Sequence, residues 1–138
     1  MQQRILIPHF VLLLGLFFMP TLQARGATPA GPNYTYYTLS PDITTNYITQ
    51  GSALGYLRLQ VDLMVLDPSL IAKVERHDPL IRDALIDIIG KESAATIKSL
   101  AGREELRLAC LDKVNQLLLI ETGEKLITEL LFTKYLYQ

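Results

Sequence analysis

Residues 55–66, Gly-Tyr-Leu-Arg-Leu-Gln-Val-Asp-Leu-Met-Val-Leu, decide the fold class. Leu57, Leu59, Val61, Leu63 and Val65 occupy every second position, and Tyr56, Arg58, Gln60, Asp62 and Met64 fall between them. Successive side chains of a strand point to opposite faces, so the alternation gives one aliphatic and one mostly polar face. A helix would spread the five aliphatics around its circumference. The stretch is therefore a long strand with one buried face, the pattern of an antiparallel sheet covered on one side. Its polar face carries no obvious catalytic set.

Turn residues bracket this strand, Gln50-Gly51-Ser52 before it and Asp67-Pro68-Ser69 after it. Upstream, residues 34–39 (YTYYTL) and the weaker run 43–49 (ITTNYIT) are aromatic and β-branched and predict two further strands, separated by Pro41-Asp42. Downstream, Leu70–Arg76 predicts a short helix. Asp78 is a suitable N-cap with Pro79 at the first helical position, opening an amphipathic helix that buries Leu80, Ile81, Ala84, Leu85, Ile88 and Ile89 and ends at Gly90. Residues 93–98 add a turn of helix. Ser99 caps a long helix with Gly102 in its first turn, an apolar stripe of Leu106, Cys110, Val114, Leu117 and Leu118 joined by Ala109 and Leu111, and an end at Thr122-Gly123. The last segment, 126–137, alternates less cleanly. Counted in twos, Leu126, Leu130, Phe132 and Leu136 share one face, and Ile127, Leu131, Tyr135 and Tyr137 share the other. The expected fold is α+β: a small antiparallel or mixed sheet, packed on one face by the helices near 79–89 and 100–119.

The chain has 138 residues, 49% of them hydrophobic, enough for one domain with a real core. Its net charge is −1, and −2 if residues 1–24 are removed with Arg4. A near-neutral balance without a basic run argues against nucleic acid as a partner. The single cysteine, Cys110, excludes an internal disulfide and a cysteine-based metal site.

Residues 1–24 (MQQRILIPHFVLLLGLFFMPTLQA) pair a short positive start at Arg4 with the apolar run Phe10–Met19, then Pro20 and Leu22-Gln23-Ala24. That layout favours a secretory signal peptide. An uncleaved membrane anchor is the alternative, but a span wants roughly 20 apolar residues and reaches that only by including Pro8, His9 and Pro20. Both send the domain across the membrane. Residues 25–33 (RGATPAGPN) read as a flexible leader, and Asn33-Tyr34-Thr35 matches a glycosylation sequon. The domain proper is 34–138.

No constellation carries chemistry. His77 and Asp78 lack the third group that a metal site or a triad needs. Cys110 sits on an apolar stripe, as a small hydrophobe does. No serine lies in a nucleophile elbow, and Gly102-Arg103-Glu104 lacks the second glycine and the lysine of a phosphate loop. The tyrosines, Tyr34, Tyr36, Tyr37, Tyr47 and Tyr56 early and Tyr135 and Tyr137 late, fit ordinary cross-strand pairing or an aromatic contact patch.

Four places give the chain a family likeness over Tyr37–Gln138. Leu39-Ser40-Pro41 precedes a short extended segment containing Asn46. Gly55-Tyr56-Leu57 opens the alternating strand, which ends in Leu66-Asp67. Pro79-Leu80-Ile81-Arg82-Asp83-Ala84-Leu85-Ile86 begins a helix. Gly102-Arg103-Glu104-Glu105-Leu106-Arg107, Val114-Asn115 and Phe132-Thr133-Lys134-Tyr135-Leu136-Tyr137-Gln138 form the closing half. In their order and spacing these resemble the flagellar basal-body-associated FliL family. The resemblance implies a domain related in fold to the stomatin type. It implies a non-enzymatic role at the flagellar motor, in the periplasm near the inner membrane, supporting the stator units in swimming and swarming. It implies no cofactor. The expected partners are stator and basal-body proteins and further copies of the chain, with the inner membrane added if the N-terminal segment is retained. Family members usually keep a membrane helix behind a basic tail; here the tail is three residues plus Arg4, and the apolar run looks cleavable. The alternative is therefore a soluble periplasmic binding or interaction module, a paralogue acting away from the motor. Arg58, Gln60, Asp62, Tyr135 and Tyr137 are the candidate contact residues; none is catalytic.

Overall fold

The long strand lies at the centre of the sheet. In the computed structural model, which describes residue 31, residues 33–51 and residues 53–138, β3 (Gly55–Val65) pairs on both of its edges. β1 (Thr35–Thr38) and β2 (Ile43–Tyr47) lie end to end along one edge, with Thr35 opposite Val65 and Tyr47 opposite Gly55. β4 (Ile127–Tyr137) runs along the other, and all pairings are antiparallel. The signal or anchor segment expected at 1–24 and most of the expected leader at 25–33 lie outside the described residues. Among the described residues, no helix is long and apolar enough to cross a membrane.

The helices follow β3 in order: a 3-10 turn at Pro68–Leu70, then α1 (Ile71–Arg76), α2 (Asp78–Gly90), α3 (Ala94–Lys98) and α4 (Leu100–Thr122). Asp67 opens the 3-10 turn by accepting the Ser69 N–H, Ser93 caps α3, and Ser99 caps α4 by accepting the Gly102 N–H. Gly123 ends α4 at φ +77°, a left-handed position that glycine takes without a Cβ clash.

Leu57, Leu59, Val61, Leu63 and Val65 are fully buried, and they meet Ile81, Leu85 and Ile89 of α2 and Leu106, Cys110, Val114 and Leu118 of α4 in one core. A buried leucine contributes about 1.5–3 kcal/mol by leaving water. An exposed ion pair contributes about 0–1 kcal/mol. The inner face therefore holds β3 in register, and the outer face is free to carry charge.

Three expectations need correction. Asp78 does not cap α2; it is the first helical residue, and His77 takes the cap position. The Asp78 carboxylate is engaged elsewhere, accepting from the Tyr37 hydroxyl at 2.9 Å and from Arg82 Nε at 2.5 Å. Ala109 does not join the buried stripe of α4 but is exposed, because burial recurs strictly every fourth residue from Gly102 to Leu118. The two faces assigned to the last strand also fail. The register of β4 against β3 slips between Gln60 and Val61 and between Met64 and Val65, leaving Thr133 and Thr128 without a partner residue. Each bulge reverses the alternation. Ile127, Leu130, Phe132, Tyr135 and Tyr137 thus stand opposite the inward residues of β3, and Glu129, Leu131, Lys134 and Leu136 opposite the outward ones.

Gly55 shows how tightly the end of the sheet is closed. A Cβ there would lie 2.3 Å from the ring of Tyr47, whose hydroxyl donates to the Gln138 carbonyl at 2.8 Å. No side chain fits between the ring and the backbone at that position.

Candidate functional site

The outer face of the sheet is built by the even positions of β3. Arg58 Nε donates to Asp42 Oδ2 at 2.9 Å, and Lys134 of β4 reaches the same oxygen at 2.7 Å. The Lys134 hydrogen bond, joined by that from Arg58, holds the Asp42 carboxyl below the usual range. Two cations on one carboxylate leave this corner with net positive charge. Beside it, Thr44, Tyr56, Arg58, Leu136 and Gln138 line an open depression of about 380 Å³. Gln60 pairs across the strand with Lys134. Asp62 sits between Thr38 and Leu131, and its Oδ1 has no hydrogen-bond partner among the described residues.

Tyr135 and Tyr137 lie on the opposite side, against the helices. The Tyr135 hydroxyl donates to the Ile97 carbonyl at 3.1 Å, and burial pushes its pKa up to about 12. Its ring meets that of Tyr137 edge-on at 6.4 Å, with Arg103 5.4 Å over Tyr135 and Lys98 5.9 Å over Tyr137. The five candidate residues therefore divide into Arg58, Gln60 and Asp62 on the outer face and the two tyrosines on the helix side. The bulge at Thr133 is what turns the two tyrosines to that side.

The groups with chemical potential are held by structural contacts. His77 Nδ1 donates to the Lys73 carbonyl at 2.7 Å. Burial drives the Cys110 thiol up to about 12, so it has no thiolate character near neutral pH. Arg107 donates to both oxygens of Glu104 (2.8 and 2.6 Å), to Glu129 Oε2 and to the Leu130 carbonyl (each 3.0 Å). Its charge is thereby consumed in tying α4 to β4. Among the described residues, no three His, Cys, Asp or Glu side chains group together as metal ligands would. Sequence reasoning missed Asp42, Lys98, Arg103 and Lys134. The spacing of Lys134 from Arg58 and Asp42 reveals nothing until the β3–β4 register is known.

A family model for "flagellar basal body-associated protein FliL" matches residues 36–138. That is most of the chain, and among the described residues it spans the four strands and the four α-helices except the first residue of β1. The chain belongs to the FliL family. A similar protein is the flagellar protein FliL of Aquifex aeolicus, 30% identical over 102 residues. The match takes in 74% of this chain and 60% of that relative, so the chain spans less than two thirds of it. The FliL match covers Arg58, Gln60, Asp62, Tyr135 and Tyr137. It also covers Arg107, so the closing motif that resembled the family, Gly102–Arg107, ends in the residue that clamps α4 to β4.

Proposed function

We propose that this chain is a non-enzymatic scaffold of the flagellar motor that supports the stator units from the periplasmic side of the inner membrane. Membership of a basal body-associated family carries the reading. The side chains support it. His77, Cys110 and the Asp78 carboxylate are held in structural contacts, whereas the outer sheet face presents charge and apolar surface together. Such a mixture serves binding better than bond-making. The scaffold works through contacts with stator proteins and with further copies of itself, and the N-terminal segment holds it at the membrane where that segment is retained.

Deleting the gene tests the proposal in the producing cell. The expected result is a smaller swimming ring in soft agar and weaker swarming, both restored by the wild-type gene in trans. Unchanged spreading on both media would remove the motor role.

A further inference from the structure

One pole of the domain gathers features that the outer sheet face does not include. It is the end where β2 turns into β3, where α3 begins, and where α4 meets the end of β4. Ile48 ties these pieces together: its N–H donates to the Glu92 carbonyl at 2.9 Å, and its own carbonyl accepts from the Ala94 N–H at 2.8 Å. On one side of this bridge lies a concavity of about 480 Å³ lined by Ile48, Thr49, Gln50, Ser93, Ala94, Ala95 and Lys98. On the other lies one of about 320 Å³ that includes Leu54, Ile86 and Gly90. Between and beside them, large apolar side chains face solvent. Ile48 and Leu54 are more than half exposed, and Leu100, at the start of α4, is 78% exposed.

Lys91 is paired with Asp87 near this pole and Glu92 stands at the Ile48 bridge, but two cations here are free of ion pairs among the described residues. Lys98 and Arg103 rest over the rings of Tyr137 and Tyr135, and among the described residues neither forms an ion pair with a carboxylate. Aromatic stacking orients both cations and leaves their charge available. The described chain enters the fold at the far end, since Thr35 pairs with Val65 and Gly55 lies ten residues back along β3. At about 3.3 Å per residue the pole stands roughly 33 Å from that entry. It thus lies at the opposite end of β3 from the point where the described chain enters the sheet.

We propose that this pole docks an acidic, apolar segment of a partner protein. Lys98 and Arg103 meet its carboxylates, and the concavity beside Ile48 and Ala94 takes an aliphatic or aromatic side chain. The complementarity is electrostatic at the rim and apolar at the centre, the arrangement of a protein contact. The inference rests on the scaffold reading, because a scaffold acts only through faces that bind.

The test uses the full purified chain and two labelled peptides, one in which glutamates alternate with leucine and phenylalanine, the other with lysine in place of each glutamate. Fluorescence anisotropy is expected to show binding of the acidic peptide only, weakening as salt is raised. The double variant Lys98→Glu, Arg103→Glu should lose about tenfold or more in affinity, the effect of a truncated charged hot spot. The exposed substitution Leu100→Asp should also weaken binding, while Leu119→Asp on the outer side of α4 should not. Circular dichroism confirms that each variant is folded. No binding of the acidic peptide, equal binding of both peptides, or binding indifferent to the charge reversal overturns the proposal. In cells, a photo-crosslinking residue at position 100 should form adducts that map to an acidic segment of another protein. Adducts to lipid, to a second copy or to a segment without Asp or Glu overturn it. These outcomes separate from those of the motor reading. A deletion without motility defect would leave the peptide result standing, and failed peptide binding would leave the motility result standing.

Discussion

β3 and β4 are both eleven residues long and lie side by side, yet they meet the core by different rules. β3 alternates without interruption, and each of its odd-numbered residues is buried. β4 carries two extra residues, Thr128 and Thr133, and its inward side chains fall at 127, 130, 132, 135 and 137. The central strand is paired on both edges and cannot slip without exposing its aliphatics. The edge strand has one neighbour and can accommodate bulges, which increase its twist and make it a poorer template for a further strand. The bulge at Thr133 also fixes which side Lys134 and Tyr135 take, and so sends one to Asp42 and the other to the polar end of α3.

The sharpest way to break this comparison is to delete one residue from each strand. Removing Thr133 should leave Lys134, Tyr135, Leu136 and Tyr137 on their present sides, because the bulged residue is the one without a partner. A loss of about 1–2 kcal/mol is expected, within the usual range for a single change. Removing Gln60 from β3 should turn Leu57 and Leu59 to solvent and abolish folding, since losing two core leucines at about 2–5 kcal/mol each is comparable to the roughly 5–15 kcal/mol that holds a whole domain. Urea denaturation of the two variants reads the difference. If both deletions fold equally well, or Thr133 is the costlier one, the register is wrong.

A smaller contrast compares the faces. Leu63→Ala, on the buried side of β3, should cost about 2–5 kcal/mol. Leu131→Ala, on the outer side beside Asp62, should cost less than about 0.5 kcal/mol as a surface change. The same denaturation midpoints decide it, and similar costs at the two positions would mean that the outer face is covered.

The comparison also explains what could be read from residues alone. β3, the extent of α2, the Ser99 cap and the Gly123 stop were legible because each is encoded locally, by a two-residue period, a helical period, a hydroxyl at a helix start or a glycine at its end. The outward placement of Arg58, Gln60 and Asp62 followed from the same two-residue period. The faces of β4 did not, since no local signal marks Thr128 or Thr133 as bulged. Asp78 read as a cap because its sequence context is that of a cap. Its actual partners, Tyr37 and Arg82, include one from a strand forty-one residues earlier. The cluster at Asp42 joins residues up to ninety-two positions apart. Contacts over such separations exist only after the sheet has formed.

The smallest expected effect is one of pH. β3 places no ionisable side chain on the inner face, whereas β4 places Tyr135 there, with its pKa raised from 10.0 to about 12. Folding favours the protonated phenol. Its contribution is complete below pH 10 and is lost as the pH rises through about 12. Thermal melts should therefore fall more steeply between pH 10 and 12 for the wild type than for Tyr135→Phe. Parallel curves would show that the buried phenol does not carry this loss.

The most direct test of the scaffold role is rotation speed of the flagellar motor against load, measured with beads of graded size in cells with and without the gene. The account predicts that loss of the protein lowers speed most at high load, where stator units bear the greatest torque, and that the wild-type gene restores it. Superimposable speed–load curves would contradict it.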